Sequence, residues 1–152
     1  MQPGAREAPA SGWIANGAHL LPLRVYFEDT DLAGVVYYAN YLRFLERGRS
    51  ELLRRLDIDQ QAAFEAGLGV YAVADLQIRY LRPARLDDAL LVETCCLAVG
   101  GASVRMRQRV LRGRETLADA FVRAAFLTPD GRPCRQPDQW MEKFRELLAT
   151  TP

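Results

Sequence analysis

One long helical period, followed by nothing but strand-like periods, constrains this chain most. Tyr38, Tyr41, Leu42, Leu45, Arg49, Leu52, Leu53 and Leu56 recur at helical spacing with charges between them, which predicts a helix from about Ala39 to about Asp57 with one face to bury. Four runs of period two come later. Val70 to Leu81 sets Val70, Ala72, Ala74, Leu76, Ile78 and Tyr80 against Asp75, Gln77 and Arg79. Ala89 to Val99 is the second run and Thr116 to Leu127 the fourth. In the third, Ser103 to Leu111, Val104, Met106, Gln108 and Val110 alternate with Arg105, Arg107 and Arg109. Pro83, Gly100-Gly101, Gly113 and Pro129-Asp130-Gly131 punctuate the runs, and connections this short favour an antiparallel meander.

A short strand is predicted ahead of the helix, from Arg24 to Phe27, and short helices over Gln60 to Ala66 and Asp138 to Ala149. One strand, a long apolar helix and four strands make an α+β domain. Its economical packing wraps an antiparallel five-stranded sheet around the central helix. A lone sheet leaves edges, so pairing into a homodimer or homotetramer is expected.

Composition narrows the function classes. The chain has 152 residues, 49% of them hydrophobic, enough for the core of one domain. A net charge of +1 argues against a nucleic-acid or acidic-membrane binder driven by bulk charge. The sequence has no apolar run long enough to span a bilayer and no apolar core of a secretory signal. Residues 1–20 are rich in Ala, Gly and Pro without a period and read as a flexible N-terminal extension before a single domain over 21–150. The only histidine, His19, falls in that extension, an unanchored place for a catalytic imidazole. Cys95, Cys96 and Cys134 have neither metal nor redox spacing and read as inert thiols of a reducing cytoplasm.

The chemistry concentrates just before the helix. Glu28-Asp29-Thr30-Asp31 forms an acidic turn, followed by Leu32-Ala33-Gly34-Val35-Val36. A carboxylate there, beside the amides of Gly34, Val35 and Val36 at or just before the positive end of a helix, can act on a bound carbonyl that those amides polarise. Read by itself, Asp31 is more readily a turn or helix cap. A calcium loop fails on the letters, with Ala33 at its fifth position and Asn40 at its twelfth. A D-x-D phosphatase would need alternating strands and helices that this chain lacks.

Tyr26-Phe27-Glu28-Asp29-Thr30-Asp31, Gly34-Val35-Val36-Tyr37, Tyr41, Glu46-Arg47-x-Arg49, Leu76 to Asp88 and Gln108-Arg109 together resemble the signature of hotdog-fold acyl-CoA thioesterases. Within them, the 4-hydroxybenzoyl-CoA type and its bacterial Tol–Pal-associated branch are most similar. The resemblance covers roughly Leu23 to Thr128. It implies a hotdog fold and hydrolysis of acyl-CoA to free acid and coenzyme A. It places the essential aspartate at Asp31, as nucleophile or general base, with oxyanion donors at Gly34, Val35 and Val36.

Tyr37, Tyr38 and Tyr41, with Phe44, would line the acyl group, and Arg82, Ser103 and Arg105 would contact the phosphates of coenzyme A. Where relatives often carry histidine after Val-Val-Tyr, this chain has Tyr38, which puts a histidine-assisted mechanism in doubt. Asp29 is expected to shape the turn, and Glu46 to pair with Arg49 or Arg79. No metal and no cofactor beyond the coenzyme A of the substrate is expected; an acyl carrier protein is a further candidate donor. A non-catalytic hotdog that binds acyl groups or a protein partner is the rival reading.

Overall fold

The computed structural model describes residues 8–150. The elements are β1 (Trp13–Ala15), β2 (Ala18–Arg24), α1 (Tyr41–Arg55), α2 (Gln60–Glu65), β3 (Val70–Tyr80), β4 (Ala89–Val99), β5 (Ser103–Arg112), β6 (Glu115–Leu127) and α3 (Asp138–Thr150), with 3₁₀ turns over Phe27–Asp29 and Tyr38–Asn40. The strands form one antiparallel sheet in the order β1-β2-β4-β5-β6-β3. The expected five strands are therefore six.

The additional strand lies where an extension without regular structure was expected. Of residues 1–20, the first seven lie outside the described residues, but Trp13–Ala15 and Ala18–Arg24 are paired strands. The strand predicted at Arg24 to Phe27 is thus displaced toward the N-terminus. Asn16 and Gly17, with φ of 53° and 78°, make the two-residue turn between them, and an Asn-Gly pair suits the two left-handed positions of a type I′ turn. Pro22 does not break β2, because β1 ends opposite Leu20 and Pro22 lies beyond that paired stretch.

One face of the sheet is buried by alternation. Leu90, Val92, Thr94 and Cys96 of β4 and Val104, Met106, Gln108 and Val110 of β5 are all buried. Helix α1 lays Tyr41, Phe44, Leu45, Gly48, Leu52 and Leu53 against this face, and each large apolar side chain removed from water contributes about 1.5–3 kcal/mol. Gly48 sets the closeness of approach. A Cβ there would lie 2.7 Å from Val92 Cγ1, so the helix could not sit so near the sheet with any other residue.

Two buried clusters result. Tyr41, Phe44 and Leu45 pack with Val36, Ala84, Leu90, Val110 and Ala118 at the N-terminal end of α1. Leu52 and Leu53 pack with Cys96, Val104, Met106, Phe144 and Leu147 at the other end, where α3 covers the sheet.

The parity expected for β3 holds only in its second half. Val73 is opposite Ala124 while Asp75 is opposite Arg123, so Ala74 is an extra residue in a bulge. Past it, Leu76, Ile78 and Tyr80 share a face as expected. Before it, Tyr71 and Val73 take that face in place of Val70, Ala72 and Ala74. The slip turns the Tyr71 ring inward, 5.1 Å from Phe126 and 6.5 Å from Phe144 between centroids. No helix of the described residues is long and apolar enough to cross a membrane.

Candidate active site

The acidic turn is built on Asp29, which is buried. Its Oδ2 accepts the Tyr26 N–H at 2.8 Å and its Oδ1 accepts Asn40 Nδ2 at 2.9 Å, while its carbonyl accepts the Tyr37 N–H at 2.9 Å. Asp29 therefore shapes the turn, as expected. Asn40 occupies the cap position of α1 but makes no side-chain cap; it ties the helix start to the turn instead. Its role was missed, because Asn before a helix reads as a cap.

Two residues on, Asp31 is the opposite case. It is exposed, and its carboxylate accepts a single hydrogen bond among the described residues, from Ala33 N–H to Oδ1 at 2.9 Å. Its backbone closes the turn: Asp31 N–H donates to Val35 O at 2.9 Å and Gly34 N–H donates to Asp31 O at 3.0 Å. Gly34 has φ of +76°, a left-handed value that glycine adopts without cost. Oδ2 has no hydrogen-bond partner among the described residues.

The three amides expected as oxyanion donors differ in their engagement. Gly34 N–H is used within the turn, and Val36 N–H donates to Ala84 O at 2.8 Å. Val35 N–H has no acceptor among the described residues, so it alone is available to a ligand. Nor do these amides lie at the positive end of α1, which begins at Tyr41 after the intervening 3₁₀ turn.

Beside the turn, Val36, Tyr38, Tyr41, Tyr80 and Arg82 line a groove of about 250 Å³. Tyr38 is 62% exposed. Tyr80, which sequence reasoning did not single out, donates its hydroxyl to Tyr38 O at 2.9 Å, and its ring meets Tyr38 edge-on at 6.1 Å. The signal for it was its parity with Ile78, which brings it to the same face. Tyr41 backs the groove rather than offering its hydroxyl. The ring is 3% exposed, the oxygen accepts the Ala84 N–H at 3.1 Å, and burial pushes its ionisation upward. Phe44 is fully buried and is not among the residues lining the groove. Tyr37 is exposed beside Tyr38 at 4.9 Å, outside the groove.

Arg82 borders the groove, with Nε 3.7 Å from Glu115. Ser103 and Arg105 are not brought to it. Ser103 pairs with Ala125, whereas Val110 pairs with Ala118, the partner of Tyr80, and that length of strand is roughly 23 Å at about 3.3 Å per residue. Glu46 forms no ion pair with Arg49 or Arg79 among the described residues. Arg49 donates instead to Gln108 Oε1 at 2.8 Å.

His19 is fully buried in β2 with Nε2 2.7 Å from Ser11 O. It is thus anchored, contrary to expectation, but faces the core. Among the described residues no three His, Cys, Asp or Glu side chains gather as a metal site would require.

The family model of the thioesterase superfamily matches residues 33–118. An acyl-CoA thioesterase of Haemophilus influenzae, YbgC, is 46% identical over 104 residues, which are 68% of this chain and 76% of that protein. The acyl-CoA thioester hydrolase YbgC of Escherichia coli O6:H1 is 42% identical over 96 residues, 63% of this chain and 71% of that one. Among solved structures, a probable thioesterase from Bartonella henselae superposes with a TM-score of 0.75 at 37% identity, covering 79% of this chain and 99% of its own. A 4-hydroxybenzoyl CoA thioesterase mutant complexed with 4-hydroxybenzoyl CoA gives a TM-score of 0.75 at 24% identity over 83% of this chain and 97% of that one, a likeness of fold. With its six-stranded sheet and buried helix, the chain belongs to the thioesterase superfamily.

Proposed function

We propose that this protein hydrolyses acyl-CoA thioesters to free carboxylic acid and coenzyme A, with Asp31 as the reacting carboxylate. The observation that carries the reading is the contrast within one turn. Asp29 is consumed by structure, and Asp31 is held at the tip with one oxygen free, beside the unengaged Val35 N–H and an aromatic groove. The relatives named as acyl-CoA thioesterases support the same reaction.

As nucleophile, Asp31 Oδ2 attacks the thioester carbonyl, the C–S bond breaks, and coenzyme A departs from a mixed anhydride that water then hydrolyses. As general base, it takes a proton from a water whose oxygen attacks the same carbon, and the proton passes to the departing thiolate. In both, Val35 N–H would donate to the oxygen that gains charge. Tyr38 and Tyr80 offer an apolar wall to the acyl group, and Arg82 a cation to coenzyme A.

The reading includes a second copy of the chain. β3 is an edge strand of 11 residues with unpaired backbone groups, and Val73, Tyr80 and Leu81 are 44–49% exposed along or just beyond it. Pairing of two such edges completes the sheet. It would also bring the Ser103 and Arg105 end of one chain toward the groove of the other, which supports keeping both as coenzyme A contacts. The cytoplasm, where coenzyme A thioesters are made, remains the proposed location.

The test is Asp31→Asn in a thiol-release assay over a panel of acyl-CoA substrates. The expected result is a folded variant whose kcat falls by about 10²-fold or more with an unchanged melting temperature. Turnover within a few-fold of the parent would remove Asp31 from the chemistry and make Glu46 the next residue to change.

A further inference from the structure

The acidic turn is part of a small ribbon of three extended segments. Thr30 bridges to Val36 and Val35 bridges to Arg85, both antiparallel. On one side Val35 O accepts the Asp31 N–H and Asp29 O accepts the Tyr37 N–H, each at 2.9 Å; on the other, Ala84 O accepts the Val36 N–H at 2.8 Å. The segment that carries Val35 therefore rests on the connection between β3 and β4, which lies outside the strands of the sheet.

One side chain closes that connection. Arg112, the last residue of β5, donates from Nη1 to Pro83 O at 3.1 Å and to Asp88 Oδ2 at 2.7 Å. A single nitrogen thus grips both ends of the segment that holds Ala84 and Arg85. Asp88 Oδ2 also accepts the Arg85 N–H at 2.8 Å, and the Tyr41 hydroxyl oxygen accepts the Ala84 N–H in the middle. Burial works against the Asp88 charge, but the Arg85 N–H and the Arg112 guanidinium outweigh it and hold the carboxyl below its ordinary value. The clasp is therefore ionised at neutral pH. Its side chains are 29% and 24% exposed, and an ion pair this open contributes little to stability. Neither residue lines the groove.

We infer that Arg112 is a positioning residue for the hydrolysis proposed above. By clasping Pro83 to Asp88 it fixes the segment on which Val35 and Val36 rest, and with it the place of the Val35 N–H beside Asp31. Misplacing such a group by about 1 Å costs up to about 10²-fold in rate. The inference rests on reading the turn of Asp31 as the reacting site. A second route from Arg112 runs through Glu115, whose Oε2 lies 3.6 Å from Arg112 Nη2 and 3.7 Å from Arg82 Nε. An effect by that route would fall on the binding of coenzyme A, hence on KM.

The experiment is steady-state hydrolysis by the full-length protein, with butyryl-CoA and benzoyl-CoA as probes, beside thermal melts. Arg112→Gln should lower kcat by about tenfold, with KM within about twofold of the parent and little change in melting temperature. Asp88→Asn keeps an oxygen for the Arg85 N–H but loses the charge, and should lower kcat alike. The double variant should fall no further than either single one, because the pair acts as a unit. Glu115→Gln should keep the parental kcat. An unchanged kcat in Arg112→Gln, a loss confined to KM, losses that multiply in the double variant, or an equal kcat loss in Glu115→Gln would each overturn the inference. Should Arg112→Gln not fold, an unchanged kcat in Asp88→Asn overturns it as well. The failures are distinguishable: a parental kcat in Asp31→Asn removes the site reading and this inference with it, whereas a collapsed kcat there beside a parental kcat in Arg112→Gln removes this inference alone.

Discussion

The two ends of α1 carry similar aromatic clusters in opposite states. At the far end Tyr71, Phe126, Trp140 and Phe144 stack with centroids 5.1–6.5 Å apart, and α3 covers them. At the near end Tyr38, Tyr41 and Tyr80 stack at 5.4–6.1 Å, and nothing in the described chain covers Tyr38 or Tyr80. Each end holds one tyrosine by its hydroxyl, Tyr71 on Gln136 Oε1 at 2.6 Å and Tyr80 on Tyr38 O at 2.9 Å. Ring geometry therefore does not distinguish a core from a site. Coverage does: the covered cluster gives stability, and the open one leaves apolar surface for a ligand or a second chain.

The contrast can be broken most severely at the covered end. Phe144→Ala empties a fully buried ring from under α3 and should cost about 3–5 kcal/mol in denaturant unfolding, with turnover per folded molecule unchanged. A smaller effect is expected in the acidic turn. Asp29→Asn sets an amide N–H₂ against one of two donors, Tyr26 N–H or Asn40 Nδ2, and should cost about 1–3 kcal/mol. Asp31→Asn should leave the unfolding midpoint in place; equal losses of stability in both variants would deny that the two carboxylates differ.

The paired tyrosines give a finer comparison. Tyr71→Phe leaves Gln136 Oε1 buried without its donor and should cost about 1–2 kcal/mol, while Tyr80→Phe, at the exposed end, should stay within about 0.5 kcal/mol. Equal costs would show that the near end is closed in solution, as by a partner chain.

The smallest effect concerns His19 on β2. Burial lowers its pKa from 6.5, opposed by the bond to Ser11 O and by Glu51, with Arg55 adding to the lowering. The unfolded chain then holds a proton that the folded chain does not, so this contribution is present above pH 6.5 and is lost as pH falls below it. Melting temperatures recorded from about pH 8 down to about pH 5 should fall on the acid side, and His19→Gln should flatten that limb. An identical acid limb in the variant would assign the loss to the carboxylates.

Much of this was legible in the sequence because it depends on local periods. The α1 face, the spans of β4, β5 and β6, and α3 follow from spacing alone, since a helix or strand with one buried face repeats its apolar residues at the period of its backbone. The hairpin of β1 and β2 was legible too, in Asn16-Gly17, but a short segment of Ala, Gly and Pro hid it. The acidic turn could be found by its letters, whereas the different fates of Asp29 and Asp31 could not. The Tyr26 N–H and Asn40, eleven residues from Asp29, together tie that carboxylate down.

The sequence by itself thus determined the elements and the stretch that bears the chemistry, because both rest on neighbours within a few residues along the chain. The tertiary structure alone decided the rest. The bulge at Ala74 reverses the parity of half a strand, Tyr41 turns its hydroxyl to the Ala84 N–H, Phe44 is buried in the core, and Arg49 meets Gln108 in place of Glu46. Each depends on what a partner distant in sequence leaves exposed, unpaired or out of register, and no spacing along a single chain records that.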